Sequence, residues 1–418
     1  MSKLRIVGGG LTGVLAAFEA HRLGCRDIEL HERFDHLGGV ALPRRAHGLE
    51  LREGCVYFGP QGDPIRTLLE THGMVFEDFE NRFGSVSPAA GGDFVLTQDF
   101  GGPALATAEM TLAPTLGDSL ADRLRAYPAD IAEPLARYCH WHLGADLDEV
   151  HESAAVPLAI NRVFPVGPKV AEVARRKRAD PLYDELYAVP RSLWGRLTNL
   201  TASLPRDGFQ GLFAACRREL ERIGVTVNDT SLVSPRQAVA EHQPGEILVW
   251  AANPMTLFKA VGLQAPSLVK KSFATYVFKA RYSGPLPFYV QNFTAEGAVF
   301  RLYLYENGGE TLALAECVTE ASDAELRREI HQLMWGFGGA ALTVGELVHA
   351  NVGPRWIYPS MDAMQKFAGL RARFAEIMGA AFVPGAWEPY AKGEKFAQVS
   401  AGLAAALEAP AARAASAA

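Results

Sequence analysis

Gly8, Gly10 and Gly13 stand in "IVGGGLTG", residues 6–13, with G-x-G-x-x-G spacing. Each has a mechanical use beside a phosphate. Gly8 permits a tight turn out of a strand, Gly10 lets the backbone approach a pyrophosphate, and Gly13 lets a helix pack near that strand. Leu11 and Thr12 open the helix, whose free N–H groups and partial positive charge attract an anion. Glu32 ends the next apolar segment, at the spacing where a carboxylate accepts both ribose hydroxyls of an adenosine. Together these residues predict a dinucleotide cradle. The run "ERFDHLGG" then adds a second glycine pair, Gly38 and Gly39.

Other reactive residues are fewer. "HWH" at 140–142 offers two imidazoles, but helix residues two apart face different directions. A helical face is expected there, and no metal site. The five cysteines, Cys25, Cys55, Cys139, Cys216 and Cys317, have no C-x-x-C spacing, so reduced thiols and a cytoplasmic protein are expected. The chain has no G-x-S-x-G, H-E-x-x-H or Walker motif. Its net charge of -6 gives no reason to expect nucleic acid or an anionic membrane as partner. "RRKR" at 175–178 reads as a solvated helix face. No apolar stretch is long enough for a membrane span, and no signal peptide is expected ahead of the first strand. A small-molecule substrate is the expected partner; the oligomeric state is not written in these features.

The elements around the cradle follow from periodicity. "KLRIVGG" reads as a strand, residues 11–23 have helical spacing, Gly24 stops that helix, and "DIELHER" is a second strand. This β-α-β unit predicts a parallel, Rossmann-like sheet wrapped by helices. Residues 105–200 read mostly as helices broken by proline. "GFQGLFAACRRELERIG", "VTVND" and "GEILVWAAN" return to the first theme. "KSFATYVFKARYS", "FYVQNF", "AVFRLYLYEN" and "TLALAECV" alternate with period two and predict a mostly antiparallel sheet. The expected α/β organisation is a discontinuous cofactor domain (1–80, 201–265 and 350–418), a helical insertion (81–200) and an antiparallel-sheet substrate domain (266–349).

"VGGGLTGVLAAFEAHRLG…IELHERFDHLGG" resembles the FAD-binding entry of the amine oxidase, protoporphyrinogen oxidase and UDP-galactopyranose mutase superfamily. The resemblance implies FAD as cofactor, with Gly38 and Gly39 passing close to it and Arg33 near the adenine or the pyrophosphate. It implies that Val233, after "NDTSL", contacts the adenine through its backbone. It also implies that the small residues ending "GEILVWAANP", Ala251 among them, pass near the FAD. Gly393 and Glu394 would be the glycine-acid pair near the ribityl chain, and Gly402 would let the last helix approach the cofactor.

On the substrate side, Tyr57, Gly59 and Pro60, and later Tyr358 and Pro359, resemble tyrosine-glycine-proline and tyrosine-proline runs of the mutases, whose histidines are replaced here by Gln61, Gly62 and Asp63. Arg355 and Arg301 are the arginines to test for an anionic substrate. Tyr303 and Tyr305 share one strand face and, with Tyr289, could wall a pocket for a planar or amine substrate. Trp194 and Lys279 are further candidates. Arg355, Tyr358, Arg301 and Tyr303 are the catalytic candidates. Three functions remain open: an amine oxidase-like oxidoreductase using hydride transfer to flavin N5, a mutase-like flavoenzyme acting on a nucleotide sugar, and a non-catalytic binding protein that keeps the fold.

Overall fold

The computed structural model describes residues 3–409, apart from 54–56, 89–93, 98–103, 106–116, 161–163, 166–168, 188–199, 336, 338–341, 386 and 388–391. Five parallel strands make one sheet: β1 (Lys3–Val7), β2 (Asp27–His31), β10 (Thr226–Asn228), β11 (Glu246–Trp250) and β17 (Phe382–Pro384). Their order is β10–β2–β1–β11–β17. Ile6 of β1 lies between Leu30 and Val249, and all three are buried, as in a sheet covered on both faces.

Helix α1 (Leu11–Arg22) runs back along this sheet and buries Val14, Ala16, Ala17 and Phe18. α12 (Lys392–Glu408) packs beside it through Val399 and Leu403. Gly402 lets α12 lie close to β17, because a Cβ there would meet Val383 Cγ1 at 2.9 Å. α2 (Pro64–Thr71) and α7 (Gly208–Arg222) complete this face. Asp63 caps α2 by accepting from the amides of Ile65 and Arg66, and Pro64 occupies a first-turn position where its missing N–H is harmless. α8 (Pro235–Ala240), α9 (Met255–Ala260) and α11 (Met361–Met378) cover the opposite face.

The second sheet holds β5 (Phe76–Pro88), β6 (Phe94–Thr97), β9 (Leu200–Pro205), β12 (Val269–Tyr282), β13 (Phe288–Asn292), β14 (Val299–Asn307), β15 (Glu310–Cys317) and β16 (Leu342–Tyr358). The order is β16–β12–β15–β14–β13–β5–β6, with β9 paired to β5. All pairings are antiparallel except β5 with β13. Alternation assigns the two faces. Ala274, Tyr276 and Phe278 of β12 pack with α10 (Asp323–Met334), whereas Phe273 and Val277 face the other way. That second face carries two clusters. Phe273 and Phe300 lie with α3 (Leu120–Arg125), α4 (Ala129–Leu143), α5 (Lys169–Arg176) and α6 (Pro181–Leu186). Val277, Tyr289, Tyr303 and Tyr305 lie under a hairpin of β3 (Arg44–Ala46) and β4 (Leu49–Leu51). A short parallel pair, β7 (Ala104–Leu105) with β8 (Phe164–Pro165), lies in the segment expected to be helical.

The fold class matches the sequence reading, but two expected boundaries do not fall between elements. The limit at 80/81 lies inside β5 and the limit at 349/350 lies inside β16. β5 reaches β9 with its first half and β13 and β6 with its second, so one strand serves both regions.

Candidate cofactor site

The strand order reverses at β1, with β2 on one side and β11 on the other, and ligands of open α/β sheets bind outside the carboxyl ends at such a point. There the chain turns through Gly8 at a φ of 106°, and a Cβ on Gly8 would sit 2.7 Å from the amide nitrogen of Ala252. A Cβ on Gly13 would lie 1.8 Å from the Gly8 carbonyl oxygen, so the close crossing of helix and turn admits only glycine. Ala251 forms the floor beside them, its amide donating to the Val7 carbonyl at 2.8 Å.

Gly10 is different. A Cβ built there meets nothing within 4 Å. Gly10 is the N-cap of α1 and provides no side-chain cap, so the first-turn amides of Leu11, Thr12 and Gly13 are left for an anion. The second glycine pair bounds the open space. The Gly38 amide donates to the Gly9 carbonyl at 2.8 Å, and Gly10 and Gly38 form a parallel bridge. Gly39, with φ 53°, brings its Cβ position to 3.2 Å from Gly10 Cα.

Glu32 is buried and braces the loop: Oε2 accepts from the Gly9 amide at 2.7 Å, and Oε1 from the Phe34 amide at 3.0 Å. Each oxygen keeps acceptor capacity for a ribose hydroxyl. The chain before Val233 runs alongside, with the Ser231 amide donating to the Glu32 carbonyl at 2.8 Å and the Thr230 amide to the Phe34 carbonyl at 3.0 Å. Val233 itself packs against the cluster around Ala238 and Leu257. Arg33 is exposed, its guanidinium 4.4 Å from the centre of the Phe34 ring. Glu32→Ala removes the brace and both carboxylate acceptors beside the glycine loop. Calorimetric titration with FAD, the cofactor that the sequence resemblance implies, tests this: affinity is expected to fall about tenfold to a hundredfold, from losing one to two charge-assisted hydrogen bonds.

Residues 6–71 match the NAD(P)-binding Rossmann-like domain family. No curated protein matches the chain in sequence. A reduced UDP-galactopyranose mutase is similar in structure at a TM-score of 0.64 and 13% identity, over 98% of this chain and 96% of that one. A putrescine oxidase double mutant redesigned in cofactor binding gives 0.54 and 13%, over 97% and 98%. Cyclohexylamine oxidase from Brevibacterium oxydans gives 0.51 and 12%, over 97% and 99%. The chain shares its fold with these three proteins.

Gly385 follows the last parallel strand, β17, beside Ala251. Its amide donates to the Trp250 carbonyl at 3.0 Å, and a Cβ there would meet Ala251 Cα at 2.6 Å. Gly393 and Glu394 instead lie in the first turn of α12, both exposed, and a Cβ on Gly393 meets nothing within 4 Å. The sequence signal for Gly385 is a glycine directly after the short apolar strand "FVP".

The substrate-side candidates separate into two groups. Tyr303 and Tyr305 are buried and stacked, their ring centres 5.0 Å apart. The Tyr305 hydroxyl accepts from the Arg52 amide and donates to the Glu50 carbonyl, both at 3.1 Å, which ties this wall to β4. Tyr57 packs against the same cluster. Arg301, on the same strand, is bound to Glu316, whose side chain is fully buried.

Tyr358 lies elsewhere, among Phe273 and Phe300 beneath the helical layer. It shares a hydrogen bond of 2.7 Å with Nε2 of His142, and burial pushes the His142 pKa down to about 3, so the imidazole is neutral. His140, on the same helix, is exposed, as the spacing of "HWH" requires. Arg355 lies in β16, and its side chain is outside the described residues, as are Trp194 and Cys55. Lys279 pairs with Glu310 at 3.2 Å. Cys25, Cys139, Cys216 and Cys317 are buried and stand outside any disulfide among the described residues. Among the described residues no three His, Cys, Asp or Glu side chains gather as metal ligands, and no helix is long and apolar enough to cross a membrane.

Proposed function

We propose that the protein is an FAD-dependent oxidoreductase of the amine oxidase-like type, acting on a small molecule by hydride transfer to flavin N5. The observation that carries this reading is the open space beside Gly10, bounded by Gly38 and Gly39, with Glu32 at its adenosine end. These residues fit a dinucleotide. The α1 amides hold the pyrophosphate, Glu32 holds the ribose, and Gly8 and Gly13 keep the backbone close. Bound FAD supplies the two-electron acceptor, so the protein's share of the chemistry is to bind, orient and exclude water.

The wall of Tyr289, Tyr303 and Tyr305 suits that share. It is apolar, aromatic and joined through β4 to the segment that starts at Gly39. The rings are buried under the β3–β4 hairpin, where they keep water from this part of the sheet. A nucleotide sugar would bring a diphosphate, and Arg301 on this wall is already neutralised by Glu316. That pairing favours a substrate without phosphate over the mutase-like reading.

The purified protein is expected to be yellow, or to become so with added FAD. Under anaerobic conditions its flavin absorbance should bleach with a member of a panel of primary and secondary amines, without added reductant. A protein that stays colourless after reconstitution would sink the reading. Turnover of a nucleotide sugar only after dithionite reduction would replace it with mutase chemistry.

A further inference from the structure

α12 and α1 lie side by side, and their first turns enclose a cavity lined by Leu11, Thr12 and Leu15 from one helix and Lys392, Lys395 and Phe396 from the other. The α1 side of this cavity belongs to the helix turn whose amides face an anion. The α12 side presents two ammonium groups. We propose that Lys392 and Lys395 form a cationic wall for the pyrophosphate of the bound dinucleotide, opposite the amide end of α1. This inference rests on the FAD reading above and adds to it two residues outside the glycine motifs.

The surroundings of the lysines support it. The Lys392 ammonium donates to the Tyr57 carbonyl and lies 5.2 Å from the centre of the Phe58 ring. Two of its three protons remain for other acceptors. Burial lowers its pKa to about 8, against the opposing pull of Asp63, whose carboxylate already caps α2. Burial also lowers the pKa of Lys395, which makes no hydrogen bond or ion pair among the described residues. An ammonium taken partly out of water without a carboxylate is unfavourable, and a bound anion relieves that penalty. Carbonyl and ring contacts hold Lys392 in place without cancelling its charge, so it remains available to a phosphate.

The test uses the full chain and three probes: FAD, ADP and adenosine. Lys392→Met and Lys395→Met each remove a cation while keeping a long apolar stem. Each is expected to weaken FAD and ADP about tenfold and to leave adenosine, which lacks phosphate, unchanged. Lys392→Arg should recover most of the loss. Unchanged FAD and ADP affinity in the double Lys→Met variant would overturn the proposal. An equal loss for adenosine would overturn it too, because the lysines would then be supporting the fold and not the phosphates. If the unmodified protein bound neither FAD nor ADP, the cofactor reading itself would fail, and this wall with it.

Discussion

Gly10→Val is expected to yield a folded, colourless protein with FAD affinity reduced more than a hundredfold. The backbone of Gly10 has φ −67° and ψ 178°, an extended conformation that valine adopts freely, and its Cβ position is open. The backbone and the Cβ position therefore accept the substitution without strain. Its cost to stability is about 1 kcal/mol, from a β-branched residue at a helix N-cap. The isopropyl group fills the open space beside Gly10, where we place the pyrophosphate, in front of the α1 amides. Absorbance at flavin wavelengths, FAD titration and a far-ultraviolet dichroism melt check the three parts of this expectation. Gly13→Ala makes the contrast, since its Cβ would meet the Gly8 carbonyl oxygen at 1.8 Å and the turn itself would have to move. Normal flavin content in Gly10→Val would refute the placement of the cradle.

Glu316→Gln is expected to destabilise the second sheet by about 3–5 kcal/mol, the range for breaking a buried ion pair from one side. Glu316 is fully buried and Arg301 nearly so, so the substitution takes a carboxylate away from beside a guanidinium in the interior. Replacing both partners, as Arg301→Met with Glu316→Leu, removes both desolvation penalties and should return stability to within about 1–2 kcal/mol of the original. Urea unfolding of the single and double variants reads the difference. If Glu316→Gln unfolds at the original midpoint, the pair is not structural, and Arg301 becomes again a side chain to test against anionic substrates.

The parts of the molecule that were legible in the sequence are the local ones. Gly8, Gly10, Gly13, Glu32, Gly38 and Gly39 fall within one β-α-β stretch, where spacing along the chain becomes spacing in the site. The period-two pattern from residue 272 onward likewise exposed the antiparallel sheet. β5 was hidden because "FGSVSP" lacks strong alternation, and its pairing with β9 and β13 is set by distant strands. Gly385 was hidden for a related reason. What requires glycine there is the backbone of Trp250 and Ala251, reached only through the pairing of β11 with β17. Tyr358 looked like a site residue by its tyrosine-proline pairing, but its neighbours are His142, Phe273 and Phe300, which no local pattern could announce. The lysines of α12 were passed over because charge in a first helical turn is ordinary until a second helix closes over it.

The pairing of β17 with β11, and of α12 with α1, has a consequence for how the protein is made. Residues 3–31 contain the motif, yet the floor at Gly385 and the facing helix arrive only after residues 382–408 have been synthesised. During translation the glycine loop is exposed long before its last neighbours exist, and contacts between such distant segments form slowly. A truncation that stops short of β17 keeps the glycine motif and loses Gly385 and α12, which pack beside Ala251 and α1.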